Sequence, residues 1–263
     1  MDQPPLMDQS PLPAPNAPAT SLAARLMNVF AAPTEVFEEI RTTRSTTGNW
    51  LVPALLTAVV MAVSMVIVAS QPAIQQKVRE QQVQAIERRV TAGRLTRPQA
   101  DQQKAMMEKF GSGTLLKAGA GVAGVCLGIG RVFWWATVLW LLGRWLLRTP
   151  FGYGKAMEAA GIAGMIGVLG MIVALLLQVN FSNPSASPSL ALAVSNFDAK
   201  KPSQLLLVAL EVFQIWQPVV LGCALARLAN VPFLRGAFVM FGFWIIWQSL
   251  GIGLGAIVGK MFG

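Results

Sequence analysis

Five long apolar stretches constrain this chain more than any other feature. They cover residues 50–69, 122–142, 156–177, 205–228 and 236–258, and each is long enough for a bilayer crossing, which takes about 20 mostly apolar residues. Hydrocarbon offers the backbone no water, so crossings of this kind are helical. The first, third and fifth carry no charge except Glu158, near the entrance of the third. Trp50, Trp134, Trp135, Trp140, Trp145, Trp216, Trp244 and Trp247 fall in or near these stretches, where indole rings suit headgroup depth. The chain is 54% apolar before glycine is counted and 13% charged, about half the ~25% of a soluble domain. A soluble globule cannot hide that much apolar surface. The expected fold is an all-α integral membrane protein with a five-helix transmembrane bundle.

What precedes the spans is different material. Residues 1–20 hold six prolines and two aspartates, which predicts a disordered, partly polyproline tail. It lacks the basic start and apolar core of a secretory signal. Its Pro15-Asn16-Ala17-Pro18 fits PxxP, a pattern common by chance in such tails. Residues 21–49 read as amphipathic entry helices. Thr20 or Ser21 caps the first, whose face is Leu22, Leu26, Val29 and Phe30. Pro33 opens the second, which sets Val36, Phe37 and Ile40 against Glu35, Glu38 and Glu39. Their apolar faces are expected either on the membrane surface or against a partner protein.

Residues 50–263 form the membrane domain, with an unusual connector at 70–115. Ile74, Val78, Ala85, Ile86 and Val90 recur at helical spacing, Gly93 breaks the run, and Thr96 with Gln99 starts a second helix as a capping box. Met106, Met107 and Phe110 complete that helix's apolar face. The expectation is an extramembrane helical hairpin, either an interaction module or a cap resting on the bundle.

Five spans put the termini on opposite sides. With the hairpin set aside, eight Lys/Arg flank the N-terminal side and three the other, which places the N-terminus in the cytoplasm. Counting the nine cations between Lys77 and Lys117 reverses that balance. The net charge of +9 has no basic recognition helix or RNA-binding aromatics around it, so membrane headgroups explain it and nucleic acid is not an expected partner.

The search for chemistry mostly excludes. The chain has no histidine, two cysteines and one tyrosine, which removes His-dependent acid–base work, Ser-His or Cys-His nucleophiles and most zinc sites. No aspartate lies in a span, and Ser64 and Ser249 have no histidine base. Cys126 and Cys223 read as small core residues. Neither enzyme activity nor a cofactor is expected. Residues 119–124 fit GxGxxG, but they open a span rather than follow a strand, so helix contact explains these glycines better. Gly124 with Gly128, and Gly251 with Gly255 and Gly259, make smooth ridges at four-residue spacing. The second ridge packs within the bundle or pairs two protomers, the internal use being favoured. Arg131, Glu158, Glu211 and Arg227 are the intramembrane ionisable candidates. Pairing of Arg131 with Glu211 or Glu158, or snorkelling, is the simplest structural use.

Three passages resemble the Yip family, the Ypt/Rab-interacting multispanning proteins. Residues 30–40, from Phe30 through Pro33 and Phe37 to Ile40, are similar to the entry helix of bacterial members. Phe151-Gly152-Tyr153-Gly154-Lys155-Ala156 is similar to the turn into the third span, and Phe213-x-x-Trp216 with Arg235-Gly236-Ala237 to the fourth span and its basic turn. The resemblance covers about residues 22–258. It implies five spans, a cytosolic N-terminus and a role in organising membrane or recruiting proteins, here through the entry helices and the hairpin. A bacterial cytoplasmic membrane is the expected location, with the lipid bilayer as constant partner and a homo-oligomer as a further option. The alternative is a small channel or transporter with a polar path around Arg131 and Glu211.

Overall fold

The computed structural model describes residues 20–110, 113–194, 207–208 and 210–262; all but Thr20 of the expected tail at 1–20, and residues 205, 206 and 209 at the start of the fourth apolar stretch, lie outside them. Nine named α-helices occur among the described residues, and the one strand-like feature there is an isolated bridge. They are α1 (Leu22–Asn28), α2 (Pro33–Thr42), α3 (Gly48–Ser70), α4 (Pro72–Thr91), α5 (Arg97–Phe110), α6 (Thr114–Leu141), α7 (Tyr153–Asn180), α8 (Val212–Leu228) and α9 (Phe233–Phe262). A π-helical turn, Leu142–Leu146, ends α6.

Among the described residues, four segments are long and apolar enough to cross a membrane: Gly48–Ser70, Thr114–Leu146, Tyr153–Asn180 and Phe233–Gly255. The fourth of the five expected spans is shorter than its composition predicts. Helix α8 has 17 residues, about 25 Å of rise against a hydrocarbon core of about 30 Å. Its start is fixed by tertiary pairing: Glu211 bridges Ser189, and Val212 N–H donates to the Pro188 carbonyl at 3.2 Å. Glu211 therefore stands at the N-cap of α8 in extended backbone, not inside the helix.

Helix α7 is the axis of the bundle. Its first half is buried on all sides, which a helix tolerates when its residues are small and apolar all round, as Ala159, Ala160, Gly161 and Ala163 are. Antiparallel α3 and α6 meet through glycine. A Cβ on Gly124 would stand 2.5 Å from Ala62 Cα, and one on Gly128 2.5 Å from Ala58 Cα. Nothing larger fits either place. The ridge at Gly251 and Gly255 differs, because among the described residues nothing lies within 4 Å of either position, and none of them gives the favoured internal packing there. The surroundings of Gly259 lie outside the described residues. Exposed apolar side chains cover the outside of α3, α6 and α9, with Phe238 75% exposed. That is the surface a bilayer covers.

The entry helices correct the sequence expectation. The apolar face of α2, Val36, Phe37 and Ile40, is buried in the core with Val29, so it rests on neither a membrane surface nor a partner. Phe30 meets Trp216 edge-on at 5.9 Å, and Glu38 lies 3.8 Å from Arg227. Helix α2 therefore runs alongside α8 in the same direction. The connector holds two helices, α4 and α5. The Gly93 turn has a φ of +69°, and Thr96 N–H donates to Gln99 Oε1 at 3.0 Å. Ion pairs Arg79–Glu108 and Lys104–Glu87 join α4 to α5 at 2.5 Å each.

Candidate functional site

A buried polar network sits where α1, α2, α3 and α7 meet. At its centre is Glu158, one turn into α7 and 1% exposed. Its carboxylate accepts from Asn49 Nδ2 at 2.6 Å and from the Thr46 backbone N–H at 3.2 Å. Asn49 sits at the first turn of α3 and accepts in turn from Arg25 Nη1 at 3.1 Å. Arg25 Nη2 donates to Glu39 Oε1 at 2.8 Å, and the Thr20 backbone N–H caps the same oxygen at 2.7 Å. On the other side of Glu158, Lys155 Nζ lies 3.6 Å away.

Lys155 also donates to the carbonyls of Ile40 at 2.5 Å and Thr43 at 2.6 Å. These belong to the last turn and cap of α2, where helical carbonyls lack N–H partners and the helix dipole is negative. The ammonium thus closes the end of α2 while facing the Glu158 carboxylate. Two cations and two anions alternate along the network, so its net charge is zero. Buried charge is tolerated on such terms, with each ion paired and its remaining donors or acceptors used. Burial pulls the Glu39 carboxyl up, yet the hydrogen bonds from Arg25 and Thr20 outweigh that and hold it below the usual carboxylate value.

Arg227, another of the intramembrane candidates, belongs to a looser cluster. It faces Glu38, which is also paired with Arg41 one turn on in α2. The hydrogen bond from Arg41 holds the Glu38 carboxyl below its ordinary value against a smaller effect of burial. These side chains are more than a third exposed, so the cluster steers α2 more than it stabilises it.

Arg131 and Glu211 do not meet as an ion pair among the described residues. Arg131 Nη2 donates to Gln217 Oε1 at 2.5 Å, and the guanidinium lies against the bare backbone of Gly167, where a Cβ would come within 2.8 Å of it. Gln217 is buried, and its Nε2 has no partner among the described residues. Glu211 instead accepts from Gln214 Nε2 at 2.7 Å. The residues that sequence reasoning missed are Asn49 and Gln217, which carry no charge to draw attention, and the partner roles of Arg25, Glu39 and Lys155. A polar residue directly at the entrance of an apolar span was the available signal for Asn49.

The three passages singled out in the sequence converge. Phe37 and Ile40 of the first are buried in the same core as Ala156 of the second and Val220 beyond the third. Phe151 lies on Gly143, where a Cβ would come within 2.2 Å of its ring. Trp216 stacks on Phe213 at 6.2 Å and receives the edge of Phe30. The family model described as the Yip1 domain matches residues 27–255. No curated protein and no solved structure matches the chain. With nearly the whole chain matched in one run, this multispanning membrane protein belongs to the Yip family.

Proposed function

We propose that the chain is a non-enzymatic adaptor that organises membrane or recruits other proteins, crossing the bilayer five times with α8 as a short fourth crossing. The N-terminus lies in the cytoplasm of a bacterium and the C-terminus across the inner membrane. Partners dock on the α4–α5 pair and on the outward side of the entry helices, around Met27, Glu35 and Arg41. One observation carries this reading: α4 and α5 form a cross-linked pair of helices in which, among the described side chains, only Ile74, Ile86 and Ala100 are buried apolar residues. A folded polar element that adds so little to the bundle core is a surface for something else.

Lysine-reactive crosslinking in native membranes tests it, because Lys77, Lys104 and Lys109 lie on this pair. The expected result is a recurrent protein partner on α4–α5 peptides, lost when residues 72–110 are replaced by a short linker. Failure to capture any consistent partner overturns the reading. The alternative, a channel or transporter, draws on Arg131 and the unpartnered Gln217 amide inside the bundle. Solute flux into liposomes that stops with Arg131→Gln would replace the adaptor reading with that one.

A further inference from the structure

A cavity of about 780 Å³ lies between the α4–α5 pair and the ends of α3, α6 and α7. Its volume is in the ~300–1,000 Å³ range of small-molecule sites. The lining is mostly apolar, with a polar edge. The spanning helices contribute Met61, Met65 and Val68 of α3, Leu116 and Ala120 of α6, and Met171 of α7, with the Ser64 hydroxyl among them. The connector adds apolar Ile74 and Val78 of α4 and Met107 of α5, and the polar edge is Gln75, Arg79 and Gln82 of α4 with Glu108 of α5 and Gln178 at the end of α7. Met61, Met65, Met107 and Met171 all line it, and the unbranched thioether adapts to a flexible occupant.

The apolar wall follows α3 from Met61 to Ala69, a rise of about 12 Å, close to the ~15 Å depth of one hydrocarbon leaflet. It is continuous with lipid-facing surface, since Val63, Ile172 and Leu176 beside it are exposed. A chain can therefore enter sideways from the bilayer. The polar edge belongs to a connector with nine cations against four acids between residues 70 and 117. Arg79 is the cation on the cavity itself, more than half exposed and held by Glu108 in a surface ion pair that contributes little. A guanidinium of that kind readily takes up a phosphate as well.

We propose that this cavity holds one anionic glycerophospholipid, an acyl chain against Met61, Met65 and Met171 and the phosphate at Arg79. The occupant is a resident lipid of the protein, distinct from the fluid lipid around α9. The inference stands apart from the adaptor reading, since a bound lipid is compatible with either an adaptor or a transporter.

The test uses the full chain in vesicles of equal parts phosphatidylglycerol and phosphatidylcholine, one lipid at a time carrying a photoactivatable group in its acyl chain. Phosphatidylglycerol is expected to label peptides containing Met61, Met65 or Met171 well above those of the open α9 face. Labelling that is uniform over all exposed apolar surface overturns the site. Equal labelling of the cavity by both lipids overturns the anionic headgroup assignment. Ala120→Trp and Ala174→Trp, which fill the apolar half, should abolish cavity labelling while leaving α9 labelling unchanged. Arg79→Gln should keep a lipid in place but erase the preference for phosphatidylglycerol; a preference that survives it removes Arg79 from the site. The wild-type labelling pattern decides the matter even if a tryptophan variant fails to fold.

Discussion

The α1–α2 and α4–α5 pairs look alike in sequence. Each is an amphipathic double helix beside a span, rich in both signs of charge. Their fates in the structure are opposite. The first pair buries its apolar face in the bundle and closes the contact with the Arg25–Asn49–Glu158–Lys155 network. The second keeps its ion pairs at the surface, with Arg79 and Glu108 58% and 62% exposed, and puts few residues in any core. The same vocabulary of Glu, Arg and Lys builds a fixed joint in one place and an adaptable surface in the other. Burial of the partners decides between the two.

The most severe way to break this contrast is Glu158→Ala. It strands Lys155 and Asn49 in the interior, and losing one partner of a buried ion pair costs about 3–5 kcal/mol. The expected readout is a large drop in thermal stability in detergent, with new protease cleavage at Arg41 and Arg44. A loss no larger than that of Glu108→Ala would erase the distinction between the pairs. Phe37→Ala should follow at about 3–5 kcal/mol, since the ring is fully buried, whereas Met106→Ala on exposed α5 should stay within about 0.5 kcal/mol. Chemical denaturation curves of the two variants give the comparison.

Acid sharpens the contrast further. The Glu39 carboxyl is held below its unfolded value, so its stabilising contribution is present above that value and fades as pH falls through the lower, folded one. Thermal midpoints should hold from neutral pH to about pH 5 and then decline, with a shallower acid decline in Glu39→Gln. Glu87, whose side chain is 40% exposed, is held low mainly by the hydrogen bond from Lys104, and this effect should weaken in 1 M salt, where the screening length is about 3 Å. The Arg25–Glu39 pair, largely shielded from water, should keep most of its contribution there. Arg79→Ala should likewise cost little, within about 1 kcal/mol by the same denaturation curves.

Local composition made the helical membrane class legible, because apolar runs near twenty residues have few other solutions. It also located the two connector helices, whose turn glycine and capping glutamine act within a few residues. The network was illegible for the opposite reason. Asn49 and Glu158 are 109 residues apart, Lys155 and Ile40 are 115 apart, and nothing local to either partner announces the other. The length of α8 was hidden similarly, since apolarity runs on upstream while a bridge to Ser189 stops the helix. Two glycine ridges of equal spacing met unequal fates, because spacing describes one smooth face and not what lies opposite.

Helix α7 deserves a last consideration as a mechanical part. Where a Cβ would stand on Gly161, Gly167 and Gly170, atoms of Trp50, Arg131 and Phe213 lie within 2.8 Å. Turning the helix by one residue, about 100°, would carry Ile162, Val168 and Met171 into those three clearances. Each would collide. The helix is keyed on three sides like a shaft in its housing, so it cannot rotate about its own axis. In this arrangement α7 is the element least free to turn against its neighbours Trp50, Arg131 and Phe213.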